Sequence, residues 1–387
     1  MRPQRTLALA AAAGLLLTAC GSSPPAEPAP AVPHGYVEGA EETAEPQSRL
    51  VIADARTGAV RVLDLLTGTV TRLDDVAGVR DISTDGRFAY LAAGGSTQVI
   101  DSGAWMVDHG DHVHYYRAAI RPAGAVDGHV VAAHADSAVA ALAVEGGKTV
   151  LLDRAAQEDG KATRRTVLDG VAVPYAQHLV VASADGVTVR NRDGRRVANA
   201  GEPCREPSGT APTRRGVVVG CADGALLLSE DDGRFTGAKI PYPDPGPSTE
   251  RAREFTSRPG SATLTASAGE RGVWVLDVAE RTWRLVGTGP VVAVNAVVEG
   301  GPLLTLTADG VLHAYDAATG QRTASRPLMA GGVPDGEPPV ILVDTSRAYV
   351  NDPGGRRVYE VDYNDRLRIA RTFDLDVTPS HVVETGR

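Results

Sequence analysis

Eight times along the chain a short apolar run is followed by a tight polar turn and a second apolar run, and this repetition constrains the fold more than any single motif. The units begin at Arg49 (RLVIADARTGAVRVLDLLTG), Gly86 (GRFAYLAAGGSTQVID), Gly128 (GHVVAAHADSAVAALAV) and Gln177 (QHLVVASADGVTVRNRDG). They continue at Arg215 (RGVVVGCADGALLLSEDDG), Ser261 (SATLTASAGERGVWVLD), Pro302 (PLLTLTADGVLHAYDAATG) and Arg347 (RAYVNDPGGRRVYEVD). Their spacing of about 40 to 50 residues suits a four-stranded unit. Runs such as LVIAD and VVVGC are β-branched, and Ala-Asp-Gly or Arg-Thr-Gly supplies the turn that returns the chain antiparallel. The first strand of each pair is nearly continuous in apolar residues, as for an inner strand packed between neighbours, and the second is expected to show polar residues outward. A hairpin of this kind cannot bury both faces alone. Radial stacking solves the problem and removes long exposed edges. The expected fold is therefore all-β, a single β-propeller of eight blades, with seven if the first and last units combine in one closing blade. No long helical pattern interrupts the period, which disfavours an open solenoid or paired sandwiches.

Two connections depart from the period. VEGGKTVLLDRAAQEDGKATRRT adds length after the third unit, and TGAKIPYPDPGPSTERAREFTSRPG, between the fifth and sixth, is rich in proline and is expected to be a space-filling surface loop.

The amino end has the pattern of an export signal. Arg2 and Arg5 precede the apolar run LALAAAAGLLL, which closes at Leu17-Thr18-Ala19-Cys20-Gly21. Such a run is too short for a spanning helix, and the small residues before a cysteine match a bacterial lipoprotein signal. Residues 1–19 are thus expected to be removed, Cys20 to carry lipid, and residues 20–46, rich in Pro, Ala and Glu, to form a disordered tether. The propeller would then occupy 47–387, exported and anchored at the outer face of the cytoplasmic membrane.

Cys204 and Cys221 are the remaining cysteines. In an exported domain the pair suggests a disulfide, with two buried thiols as the alternative. No CxxC pair offers a thiolate zinc site. A formal charge of −9 argues against a nucleic-acid partner.

Five of the nine histidines fall between residues 101 and 136. His109, Asp111, His112 and His114 are close together, and His129 and His134 follow after a turn rich in Pro and Gly. In HVHYY, His112, His114 and Tyr116 alternate with Val113 and Tyr115, so a strand here would send both imidazoles from one face. That spacing suits two nitrogen ligands on one metal, and zinc would take two more from His129, His134 or Asp111. The competing account is a polar loop whose histidines bond to carbonyls. Trp105, Trp274 and Trp283 are read as packing residues, and His178, His313 and His381 as strand or tail residues.

WMVDHGDHVHYY followed by GHVVAAHADSAVA resembles the AztD family of zinc metallochaperones, as do GCADGALLL, TADGVLHAYDAATG and the closing AYVNDPGGRRVYEVD. The resemblance implies an extracytoplasmic propeller that carries Zn2+ and delivers it to the solute-binding protein of a zinc ABC importer. Carried over to this chain, the ligands are His112 and His114, His134, and Asp111 or His109, with His129 as ligand or supporting residue. Where further histidines would be expected, the chain has Val-Pro-Tyr-Ala-Gln and Glu-Pro-Ser-Gly, so the resemblance implies one tight zinc and no accessory histidine-rich loop.

Two other classes fit parts of the sequence. A zinc-dependent hydrolase or lyase would use an open metal position to activate water, but the chain has no HExxH motif or serine elbow, so it is not read as an enzyme. A metal-free propeller serving as a protein-binding scaffold would keep the anchor and repeats and bind no tight zinc.

Overall fold

The computed structural model of the chain describes residues 37–109, 112–244 and 250–387. The expected signal, Cys20 and most of the expected tether lie outside them.

Strand Arg49–Ala53 shows why the repeat reads as it does. All five residues are buried. Leu50 and Ile52 pack with Tyr349, Val358 and Phe373 of the sheet on one side. Val51 and Ala53 pack with Val79, Ala89 and Leu91 of the sheet on the other. Successive side chains leave opposite faces of a strand, so a strand held between two sheets is apolar throughout. Its hairpin partner, Val60–Asp64, is buried in the same way. Here the structure corrects the expectation of an inner strand and a polar second one: both runs are the middle strands of a sheet. The polar strand is the outermost, Val70–Leu73, and the innermost comes from elsewhere in the chain.

Eight sheets follow this antiparallel plan among the described residues. The sixth has three strands, Thr263–Ser267, Val273–Asp277 and Thr282–Val286, and a bridge from Thr256 to Thr265 stands in the fourth position. One apolar cluster fills the space between each successive pair of sheets, the eighth and first included. The sheets therefore close into a ring, and the fold is a β-propeller. The first sheet is completed by His381–Thr385, whose Val383 lies opposite Val51. His381, a tail residue by its place after the last repeat unit, thus opens an inner strand. The last repeat unit does not merge with the first, because Ala348–Asp352 and Arg357–Asp362 are the middle strands of a separate sheet.

The turns repeat one device. Asp54 accepts hydrogen bonds from the amides of Arg56 and Thr57 through Oδ1, and Asp64, Asp136 and Asp316 do the same in their own turns. An aspartate placed before a turn thus satisfies amides that have no ladder partner. Gly58 closes the first turn at φ 79°, where an added Cβ would lie 2.7 Å from the Val76 carbonyl oxygen.

The described residues of the two long connections belong to the ring of sheets and its cavity. The first contains strand Lys148–Asp153, a short helix Arg154–Glu158 and the start of strand Arg164–Asp169, so it is part of the third sheet rather than added length. Asp153 caps the helix, accepting from the Ala156 amide at 2.9 Å. The second begins within strand Arg234–Pro241 of the fifth sheet, and its later residues Arg251, Phe255 and Arg258 line the central cavity. Cys204 and Cys221 are joined by a disulfide and buried.

The inner strands surround a cavity of about 1580 Å³. Across one of its walls lies a ninth, three-stranded sheet of Glu41–Thr43, Val113–Arg117 and Ala104–Asp108. The last two strands form a hairpin inserted between the third and outermost strands of the second sheet, Ser96–Asp101 and Arg121–Asp127. The first belongs to a segment assigned above to the disordered tether. Backbone pairing of Glu41–Thr43 to the hairpin gives this polar stretch an ordered partner.

Candidate metal centre

The histidine hairpin is held at its root by packing and charge. Trp105 stacks on Tyr116 with ring centres 5.4 Å apart. Arg87 lies over the indole and pairs with buried Asp101. Gly103 sits at φ 67°, and a Cβ there would meet the Ala118 carbonyl oxygen at 2.4 Å, so the base of the hairpin depends on that glycine. Near the tip, Arg214 of the fifth sheet's loop reaches Asp108 at 2.9 Å.

Strand register then sorts the side chains. Met106, Asp108, Val113 and Tyr115 line the cavity. Val107 stands opposite His114 and Trp105 opposite Tyr116, so these four share the other face. The amide of His109 donates to the carbonyl of His112 at 2.9 Å, which closes the tip. As a result His109 joins His112, which immediately precedes the strand, and His114 within it. The three ring centres are separated by 4.9, 5.0 and 5.3 Å. One nitrogen from each lies within 4.8 Å of the others; the His109 and His112 rings are exposed and that of His114 is half-buried. Three convergent imidazoles with solvent beside them are a donor set suited to zinc with a fourth, exchangeable position.

The other candidates are placed elsewhere. Asp111 lies outside the described residues. His129, at the start of the third sheet, faces Asp81, with Nε2 to Oδ2 3.7 Å. His134, at the far end of the inner strand Val130–Ala135, lines the cavity and meets the Thr210 hydroxyl at 3.3 Å. Neither belongs to the group of three. Burial among protein atoms lowers the His134 pKa to about 4, so the ring is neutral at pH 7. His313 bonds to Ser325 at 2.9 Å and Thr307 at 3.2 Å, and His178 to the Ala176 carbonyl at 2.8 Å, both local contacts. Trp274 and Trp283 pack around Tyr242 between the fifth and sixth sheets.

Sequence reasoning missed Glu42. It lies opposite Tyr116 in the ninth sheet, on the histidine face, and its Oε1 is 2.7 Å from His114 Nδ1. Its neighbour Glu41 pairs with Arg117 at 2.8 Å. The available signal was a run of acids near the end of the Pro-rich segment, with nothing in it to name a partner 72 residues away.

No family model matches the chain, and no curated protein sequence does. Among solved structures it is similar to AztD from Citrobacter koseri at a TM-score of 0.72 and 21% identity, covering 88% of this chain and 98% of that one. The apo structure of the same protein gives a TM-score of 0.73 at 20% identity, with the same coverage. The dihydro-heme d1 dehydrogenase NirN matches at 0.55 and 16% identity, covering 89% of this chain and 76% of that one. At these identities the likeness establishes the fold.

Proposed function

We propose that this chain is an extracytoplasmic zinc metallochaperone that carries one zinc on His109, His112 and His114 and passes it to the solute-binding protein of a zinc ABC importer. The observation that carries the reading is the convergence of three imidazoles at the tip of a hairpin that is packed at its root and open to solvent at its end. The sequence resemblance to AztD metallochaperones and the structural likeness to Citrobacter koseri AztD support it. The lipoprotein-like signal and Cys20 support a position at the outer face of the cytoplasmic membrane, where an importer would be met.

Zinc is cargo here, and the chemistry is ligand exchange rather than catalysis. Three protein ligands leave a position that an incoming side chain can occupy before the histidines let go. A closed four-ligand structural site would exchange slowly. Because the rings must be neutral to bind, uptake of zinc releases protons from any that are charged.

The test is a titration of the metal-free mature domain with zinc against a chelator of known affinity, repeated with His112 and His114 both changed to alanine. One tight zinc, lost in the double variant and transferred to a zinc-binding solute receptor faster than it dissociates into buffer, supports the reading. Absence of tight zinc in the unmutated protein overturns it.

A further inference from the structure

We propose that the N-terminal strand Glu41–Thr43 is a displaceable clasp on the zinc site, and that Glu42 is the positioning residue through which it controls zinc retention. The proposal rests on the metallochaperone reading and concerns how the same site holds and releases its cargo.

Three observations converge. The strand is only three residues long and adds to the free edge of the hairpin strand that bears His114, so the histidine site is assembled from two distant pieces of chain. Its contacts are few and mostly at the surface: Glu41 with Arg117, and the Thr43 hydroxyl with the Tyr115 carbonyl at 3.4 Å. Finally, Glu42 accepts a hydrogen bond from Nδ1 of His114. Glu42 is not in the metal-sized group, so its carboxylate acts on the ring and not as a fourth ligand. With Nδ1 committed to a carboxylate, Nε2 is the nitrogen left for a metal.

A carboxylate on the remote nitrogen fixes the tautomer and orientation of a ligating histidine and raises its basicity; loss of such a partner weakens metal binding by roughly 10- to 100-fold. Coordination makes the ring N–H more acidic, so its bond to Glu42 strengthens when zinc binds. The coupling is reciprocal. Zinc tightens the strand on the hairpin, and peeling the strand away weakens zinc. Because the strand pairs along an open sheet edge, an extended segment of a receiving protein can take its place by the same backbone bonds. Displacement then removes Glu42 from His114 at the moment a new ligand arrives.

The experiment uses the mature domain with three variants: Glu42→Ala, Glu42→Gln and the His112→Ala/His114→Ala double change. Zinc affinity is read by chelator competition, and hydrogen exchange at residues 41–43 is read with and without zinc. The expected result is a 10- to 100-fold weakening in Glu42→Ala, a smaller one in Glu42→Gln, which keeps a neutral acceptor, and slowed exchange at 41–43 on adding zinc to the unmutated protein alone. Unchanged affinity in Glu42→Ala, or exchange at 41–43 indifferent to zinc, overturns the clasp while leaving the metallochaperone reading intact. No zinc binding by the unmutated protein overturns that reading instead, and zinc control by Glu42 with it. Thermal unfolding of each variant identifies a loss of affinity caused by misfolding.

Discussion

The guanidinium of Arg87 lies 3.8 Å from the centre of the Trp105 ring and pairs at 3.0 Å with Asp101, whose side chain is almost completely buried. One side chain thus ties the root of the histidine hairpin to the second sheet of the ring.

Replacing Arg87 by alanine leaves buried Asp101 paired with Arg121 at 3.2 Å. Breaking a buried pair from one side costs about 3–5 kcal/mol, and the remaining arginine puts the expected loss near the lower end. Arg87→Lys, which keeps the charge without the flat fork over the indole, should lose less. Equilibrium urea unfolding of the three proteins checks the order.

Zinc affinity should fall as the solution is acidified, because a protonated imidazole must give up its proton to bind. The limiting slope is about tenfold per pH unit for each proton displaced. Removing His112 should make the slope shallower as well as weakening the site. Chelator competition at several pH values measures both, and a pH-independent affinity would count against histidine ligation.

His134 should make folding stability depend on pH without contributing to zinc binding. Its folded pKa, about 4, lies below its ordinary 6.5, so the unfolded chain takes up the proton first. The stabilisation is complete above about pH 6.5 and is lost as pH falls toward 4. Melting temperature should therefore drop less between pH 7 and pH 4.5 in His134→Gln than in the unmutated protein. Burial also lowers the pKa of His381, so changing both should flatten the profile further. Unaltered zinc stoichiometry in His134→Gln would agree with its separation from the three-histidine group.

The repeat could be read from the sequence because the middle strands are apolar on both faces, as in RLVIA and VRVLD. Inner strands were harder to recognise. VRDIST has apolar residues only at Val79 and Ile82, which pack between the first and second sheets, so it lacks an unbroken apolar run to mark it as a strand of the repeat. HVHYY was legible because two-residue periodicity sorts its rings by face. The separation of His134 from that group was not, since nearness in sequence says little about position when a chain turns from an inserted hairpin into the next sheet. Glu42 was invisible for a related reason: its pairing is set by backbone register, and the acids around it have the composition of a solvated tether.

The bond between the Thr385 hydroxyl and the Arg49 carbonyl joins residues 336 positions apart, and the whole ladder between Arg49–Ala53 and His381–Thr385 is comparably remote in sequence. Contacts so remote in sequence form late. During synthesis the edge of Arg49–Ala53 has no inner neighbour until His381–Thr385 emerges, and an uncovered apolar edge invites pairing with other chains. The seam is therefore also a checkpoint on completeness: a chain cut short before His381 retains every repeat unit yet exposes the edge that marks it as unfinished.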